Sequence, residues 1–367
     1  MKVAIVHDWL VGGGAERVVQ ELHKLYPEAP IYTSYCSPEW RRKLDNKVVT
    51  GYLQRWPFSK LRKFLPVLRL HWFSHLDLSG YDVVISSAGN GEAKAIRCRE
   101  GTLHICYCHT PTHYYWRHYD QYMRNPGFGA FNSLARVGLR LLVAPLRRRD
   151  FQAAQRVDYF IANSTHIQSD IKEYYSRDST VIHPPLQLER FLNDKAPVER
   201  HGLITIGRLT PYKRVDLIVE ACSQLGVPLT VVGKGSELEH LKFLAGPTIT
   251  FDSQASDAAV ENYLRSAKVF LFAAYEDFGI TPVEAIAAGT PVIAYQAGGA
   301  LDYVEDGKTG LFFKHQAAAS LTEAIERFDS KDFSAQYLQA FAKQFDSSIF
   351  RTKMRAFIAS HKEKGQA

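Results

Sequence analysis

Several things are scarce in these 367 residues. Cysteine comes first: Cys36, Cys98, Cys106, Cys108 and Cys222 are odd in number and show no Cys-x-x-Cys spacing. A disulfide framework and a zinc knuckle are thereby excluded, and a reducing cytosol is expected. No uninterrupted apolar run is long enough to cross a bilayer, and Asp8 interrupts the first one too early for a secretory leader. Low-complexity tracts and short repeats are lacking. So is an Asp-x-Asp motif, and the expectation is chemistry without a metal or other cofactor.

What is present reads as a globular protein, 46% hydrophobic and 23% charged, of a length that suggests two domains. The net charge of +7 is uneven. Residues 1–185 hold 25 lysines and arginines against 16 acids, a balance of +9, whereas 186–367 carry a balance of −2. One basic half suggests an anionic partner: nucleic acid, anionic lipid or a phosphorylated substrate.

The chain opens as a buried strand, residues 2–7, then a turn with Gly12, Gly13 and Gly14, then an amphipathic helix from about Ala15 to Leu25. Strand, glycine turn and helix begin a doubly wound α/β domain. Further β-rich runs lie at 30–35, 82–87, 103–108 and 157–162. After His183-Pro-Pro185, a plausible domain exit, a second α/β series runs through 202–207, helix 214–225, 228–233, 268–273, 291–295 and 310–313. The spacing predicts an α/β protein of two Rossmann-like domains, 1–185 and 186–346, facing across a cleft. A last amphipathic helix, from Ser347, is expected to return residues 347–367 to the first domain.

Two motifs carry the chemistry. Glu276-Asp-Phe-Gly-Ile-Thr-Pro-Val-Glu284 follows an apolar strand. Pro282 suits a first helical turn, so Gly279, Ile280 and Thr281 are expected in the loop entering it, with Glu284 in that first turn. Gly207-Arg-Leu-Thr-Pro-Tyr-Lys213 puts Arg208 and Lys213 between a strand end and a helix start, where a diphosphate would lie. The Gly12–Gly14 turn is weaker, being neither a Gly-x-Gly-x-x-Gly fingerprint nor a P-loop. Each has a bland reading: solvated acids, exposed cations, a structural turn.

Together these motifs resemble the glycosyltransferase family 4 enzymes of GT-B fold. The resemblance implies a retaining transferase whose first domain takes the acceptor and whose second takes a nucleotide sugar. Arg208 and Lys213 would hold the diphosphate, Glu284 the ribose, and Glu276 with the amides of Phe278, Gly279, Ile280 and Thr281 the transferred sugar. Gly13 and Gly14 would close on the diphosphate. Cys108-His-Thr-Pro-Thr-His-Tyr-Tyr-Trp116 resembles bacterial GDP-mannose-dependent mannosyltransferases of O-antigen and polysaccharide assembly, and it implies that His109 contacts the sugar. His113 stands where that family often has Arg. A metal on His109 and His113 would need a helix through both, which Pro111 opposes. The implied reaction is a front-face displacement with His109, Arg208, Lys213 and Glu276 catalytic, and the implied acceptor is a lipid-linked saccharide.

Two basic amphipathic stretches of the first half point to the anionic inner face of the cytoplasmic membrane, hence to a cytoplasmic, peripheral protein. One sets Phe58, Leu61, Leu65, Leu68 and Trp72 among Lys60, Arg62, Lys63 and Arg69; the other runs from Phe128 to Arg149. Packing on the domain core is the competing reading. A UDP-sugar transferase, a nucleotide-sugar epimerase and a non-catalytic module binding membrane or nucleic acid remain the rival functions.

Overall fold

The computed structural model describes residues 1–61, 65–89, 91–117, 119–124, 129, 132–192 and 199–364. The chain divides into two compact units, Met1–Pro185 with Phe350–Ala367, and Leu186–Ile349. Each is a parallel sheet with helices on both faces.

The first sheet has the order β3-β2-β1-β4-β5-β6-β7. Its strands are β1 Val3–His7, β2 Ile31–Thr33, β3 Val48–Thr50, β4 Val83–Ala88, β5 Leu103–Cys108, β6 Tyr159–Ala162 and β7 Ser179–Val181. Alternation along β1 shows why the strand is apolar throughout. Val3 and Ile5 enter one buried cluster, Ala4 and Val6 the cluster on the opposite face. Phe350, Met354 and Ile358 of the helix Ser347–Lys364 complete the first of these clusters.

The second sheet has the order β10-β9-β8-β11-β12-β13. It comprises β8 Leu203–Ile206, β9 Leu229–Val232, β10 Ile249–Asp252, β11 Val269–Phe272, β12 Val292–Tyr295 and β13 Gly310–Phe313. In each sheet the strand order reverses once, between β1 and β4 and between β8 and β11. Loops leaving adjacent strands part at such a reversal and open a crevice at the carboxyl ends, the usual ligand site of open α/β sheets.

One expectation from sequence is corrected. The stretch from Phe58 to Trp72 holds the helices Phe58–Leu61 and Pro66–Ser74, with Leu65 outside both. Trp72 is a core residue, and Arg69 is buried in an ion pair with Glu92 at 2.6 Å. Arg69 is therefore no surface charge. Arg62, Lys63 and Phe128 lie outside the described residues. The second stretch forms the helix Asn132–Gln155, which exposes Leu134, Val137, Leu141 and Leu142. Among the described residues no helix is long and apolar enough to cross a membrane.

Candidate active site

In the second unit the site grows from the loops after β8 and β11. The loop after β8 is pinned by backbone bonds from Gly207 to Val232 and from Leu209 to Lys234, both 3.0 Å. This close approach needs Gly233 and Gly235: a Cβ on the first would stand 1.9 Å from the Gly207 oxygen, and on the second 2.0 Å from that of Leu209. Arg208 emerges exposed and donates to the Tyr212 hydroxyl at 3.0 Å. Lys213 ends the short helix Pro211–Lys213. Its ammonium forms an ion pair with Glu276, and each of the two side chains is 18% exposed. Two residues distant in sequence thus meet across the strand-order reversal.

Gly298 and Gly299 buttress the Glu276 loop from below. The Gly299 amide donates to the Glu276 carbonyl at 2.8 Å, and a Cβ on Gly299 would lie 2.3 Å from the Phe278 Cα. Gly279 has φ 92°, and a Cβ there would lie 2.6 Å from the Tyr303 hydroxyl. That hydroxyl is buried and has no hydrogen-bond partner among the described residues. Burial raises the Tyr303 pKa, and the nearby Glu276 and Asp302 charges add to it, so it stays a neutral donor beside the Glu276 loop.

The structure corrects two local expectations here. Ile280 and Thr281 are not loop but the opening of the helix Ile280–Ala287, whose start Gly279 leaves without a side-chain cap. Glu284 falls beyond the first turn and is buried, accepting from Arg190 at 3.1 Å. The Phe278 ring belongs to the core, against Tyr303 at 5.6 Å and Phe345 at 5.8 Å, so only its backbone can face a ligand. Pro282 enforces these shifts less than Gly279 does: the left-handed glycine turns the chain into helix before the proline is reached.

In the first unit the loops after β1, β4 and β5 carry the polar groups. Asp8 bridges the strand-order reversal, accepting from the Gly89 and Ala93 amides at 2.7 Å each. The Gly12 amide donates to Glu16 at 2.9 Å, so the glycine turn already holds a carboxylate. Gly13 and Gly14 then open the helix Gly14–Leu25 without a side-chain cap. His109 follows β5 and is buried, with Nε2 2.8 Å from the Ser87 hydroxyl. Burial, helped by His7, holds its pKa down to about 3, so the ring is neutral near pH 7. His113 lies instead 3.1 Å from the Tyr122 hydroxyl.

Behind His109 lies a buried polar network absent from the sequence reading. Asp150 pairs with Lys94 and accepts from Thr112 at 3.0 Å, Trp116 at 2.8 Å and Tyr175 at 2.7 Å. Glu92 pairs with Arg69 and accepts from Tyr114 at 3.0 Å. Arg147 also belongs here, donating to the Tyr115 carbonyl and lying over the Trp116 ring. The sequence signal was slight: a lysine between small apolar residues, Ala93 and Ala95, and an aspartate ending an arginine run.

Residues 12–190 match the family described as Glycosyltransferase Family 4, and residues 193–345 match Glycosyl transferases group 1. A D-inositol 3-phosphate glycosyltransferase of Streptomyces scabiei (strain 87.22) is 27% identical over an alignment of 239 residues, with 56% of this chain and 54% of that protein covered. The chain thus spans about half the length of the curated relatives it matches. Among solved structures, Anabaena Alr3699/HepE in complex with UDP has a TM-score of 0.71 at 19% identity, covering 98% of this chain and 100% of that one. The apo form of the lipopolysaccharide outer core galactosyltransferase WaaB has a TM-score of 0.70 at 16% identity, again with 98% and 100% covered. The chain has the two-domain GT-B fold, and its two halves match Glycosyltransferase Family 4 and Glycosyl transferases group 1 in turn.

Proposed function

We propose that this protein is a retaining hexosyltransferase that moves mannose from GDP-mannose to a lipid-linked saccharide in cell-surface polysaccharide assembly. The observation that supports a transferase most directly is the Lys213–Glu276 ion pair, beside Arg208 and the uncapped start of the helix Ile280–Ala287. A diphosphate is the ligand that uses this set: two cations and open amides receive its charge. On its arrival Lys213 exchanges a carboxylate for a phosphate, and Glu276 is released to accept from sugar hydroxyls. Glu284, held by Arg190, is oriented to accept from a ribose diol. In the first unit, Gly13, Gly14 and His109 keep the roles that the family resemblance implies.

The bond from the anomeric carbon to the diphosphate oxygen breaks, and its electron pair leaves with that oxygen. The acceptor hydroxyl forms the new bond on the same face and passes its proton to the departing phosphate. Arg208 and Lys213 stabilise the charge that develops there. No metal ion enters this scheme. The exposed apolar stripe of the helix Asn132–Gln155, beside the exposed Arg140, Arg148 and Arg149, supports docking on the anionic inner face of the membrane. Vesicle co-sedimentation checks it: binding to anionic but not to neutral vesicles is expected, and equal binding to both counts against it.

A UDP-sugar donor is the second reading, favoured by the UDP and UDP-glucose held by the Anabaena protein. A thermal-shift screen with GDP-, UDP-, ADP- and TDP-sugars, followed by product analysis, separates the two. The largest shift is expected with GDP-mannose. A larger one with a UDP-sugar overturns the mannose assignment, and no response to any donor overturns the transferase.

A further inference from the structure

β1 and β4 pair in register with His7 opposite Ser87, and β5 delivers His109 directly beyond them. His7 Nδ1 lies 2.8 Å from the Ser87 carbonyl oxygen and 3.1 Å from its hydroxyl. A carbonyl can only accept, so His7 carries its proton on Nδ1. The Ser87 hydroxyl, fully buried, thus faces one donor and, at 2.8 Å, His109 Nε2. Among the described residues Nε2 is the one acceptor open to the hydroxyl hydrogen. The opposite arrangement, with Nε2 protonated, would leave that hydrogen buried without an acceptor, which costs about 1–3 kcal/mol. The backbone around the ring is fixed as well: the His109 amide donates to Ala88 at 2.9 Å, and Asn163 donates to the His109 carbonyl at 2.9 Å. Nδ1 of His109 has no partner among the described residues.

We propose that His7 and Ser87 are positioning residues that lock His109 in the tautomer bearing its proton on Nδ1, so that it offers a bound sugar a neutral N–H donor. That the ligand is a sugar rests on the proposed transferase function; the tautomer does not. Such a donor suits an oxygen with a free lone pair, either a hydroxyl whose hydrogen is already donated elsewhere or a sugar carboxylate. It gives nothing to a hydroxyl that must donate at this point.

Long-range proton–nitrogen spectra of the histidine-labelled full chain test this, with the His109 signals identified by their loss in His109→Gln. A ring with protonated Nδ1 and bare Nε2, unchanged from about pH 5 to 8, is expected. In Ser87→Ala the proton should redistribute between the ring nitrogens. There kcat should fall about tenfold while the donor KM stays within about twofold. Ser87→Thr should recover the tautomer and most of kcat. His7→Asn, whose amide nitrogen can replace Nδ1, should keep the tautomer and shows that a folded variant was measured. Bare Nδ1 in the wild type, or an unaltered tautomer in Ser87→Ala, overturns the proposal. Absence of transfer with every donor overturns the transferase function and leaves the spectroscopic result to stand alone.

Discussion

The two strand-order reversals solve the same problem in opposite ways. In the first unit the charged groups near the strand ends are buried and paired: Asp150 serves four donors, and Asp8 two amides. In the second unit Arg208 is exposed, while Lys213 and Glu276, half-buried, neutralise each other within reach of water. A buried, fully bonded charge cannot change partners without losing several kcal/mol. A pair that water still reaches exchanges partners at a smaller cost. The first arrangement makes a rigid wall from which a few groups such as His109 project; the second keeps charge available for a ligand.

Breaking the wall should have the largest effect. Asp150→Ala leaves the Lys94 ammonium buried and unpaired, and should destabilise the fold by about 3–5 kcal/mol in urea titration. Loss of less than about 1 kcal/mol would mean the network is not the support described. Lys213→Ala should do the reverse. Stability should change by no more than about 1 kcal/mol, and kcat should fall about a hundredfold, as when one stabilising donor is removed from a leaving group.

Acid should also separate the units. Burial first, then the Arg156 charge, depresses His104 to about 3, and burial with His7 does the same to His109. Both folded-state values lie below the unfolded one near 6.5, so the unfolded chain binds protons that the folded chain refuses. Their contribution is complete above about pH 6.5 and is lost as pH falls toward 3, on the order of 1–2 kcal/mol each by pH 5. Urea midpoints at the two pH values check this, and the pH dependence should flatten in His104→Gln. The smallest effect is expected from Glu284→Ala: nucleotide affinity weaker by about tenfold in calorimetry, with kcat nearly unchanged. A large fall in kcat with unaltered affinity would exchange the roles assigned to Glu284 and Lys213.

Much of the architecture was legible because parallel strands buried on both faces are continuous apolar runs. β1, β5, β11 and β13 could be read almost to the residue. β3 and β10 were missed for the converse reason. Both are sheet-edge strands; the first is only three residues long, and the second sets the exposed Thr250 between Ile249 and Phe251. The loops after β8 and β11 announced themselves through glycine, proline and charge. The wall of the first unit did not. Arg69 and Asp150 come from segments far from the one that holds both Glu92 and Lys94, and the pairs form only once the chain is folded, so no local pattern marks them. Arg69 even looked like one solvated cation among several in a basic stripe. Sequence shows charge, but only packing reveals whether that charge has left water.

Phe350, Met354 and Ile358 belong to the core of the first unit, although the whole of the second unit precedes them in the chain. During synthesis, then, the amino-terminal sheet must wait. All thirteen strands of the described residues emerge from the ribosome before the helix that seals one face of the first sheet. The second unit, contiguous in sequence, has every core residue it needs while its elder neighbour is still open. The order of birth and the order of completion are therefore reversed, and the unit made first is the one that depends on a helix made after the second unit.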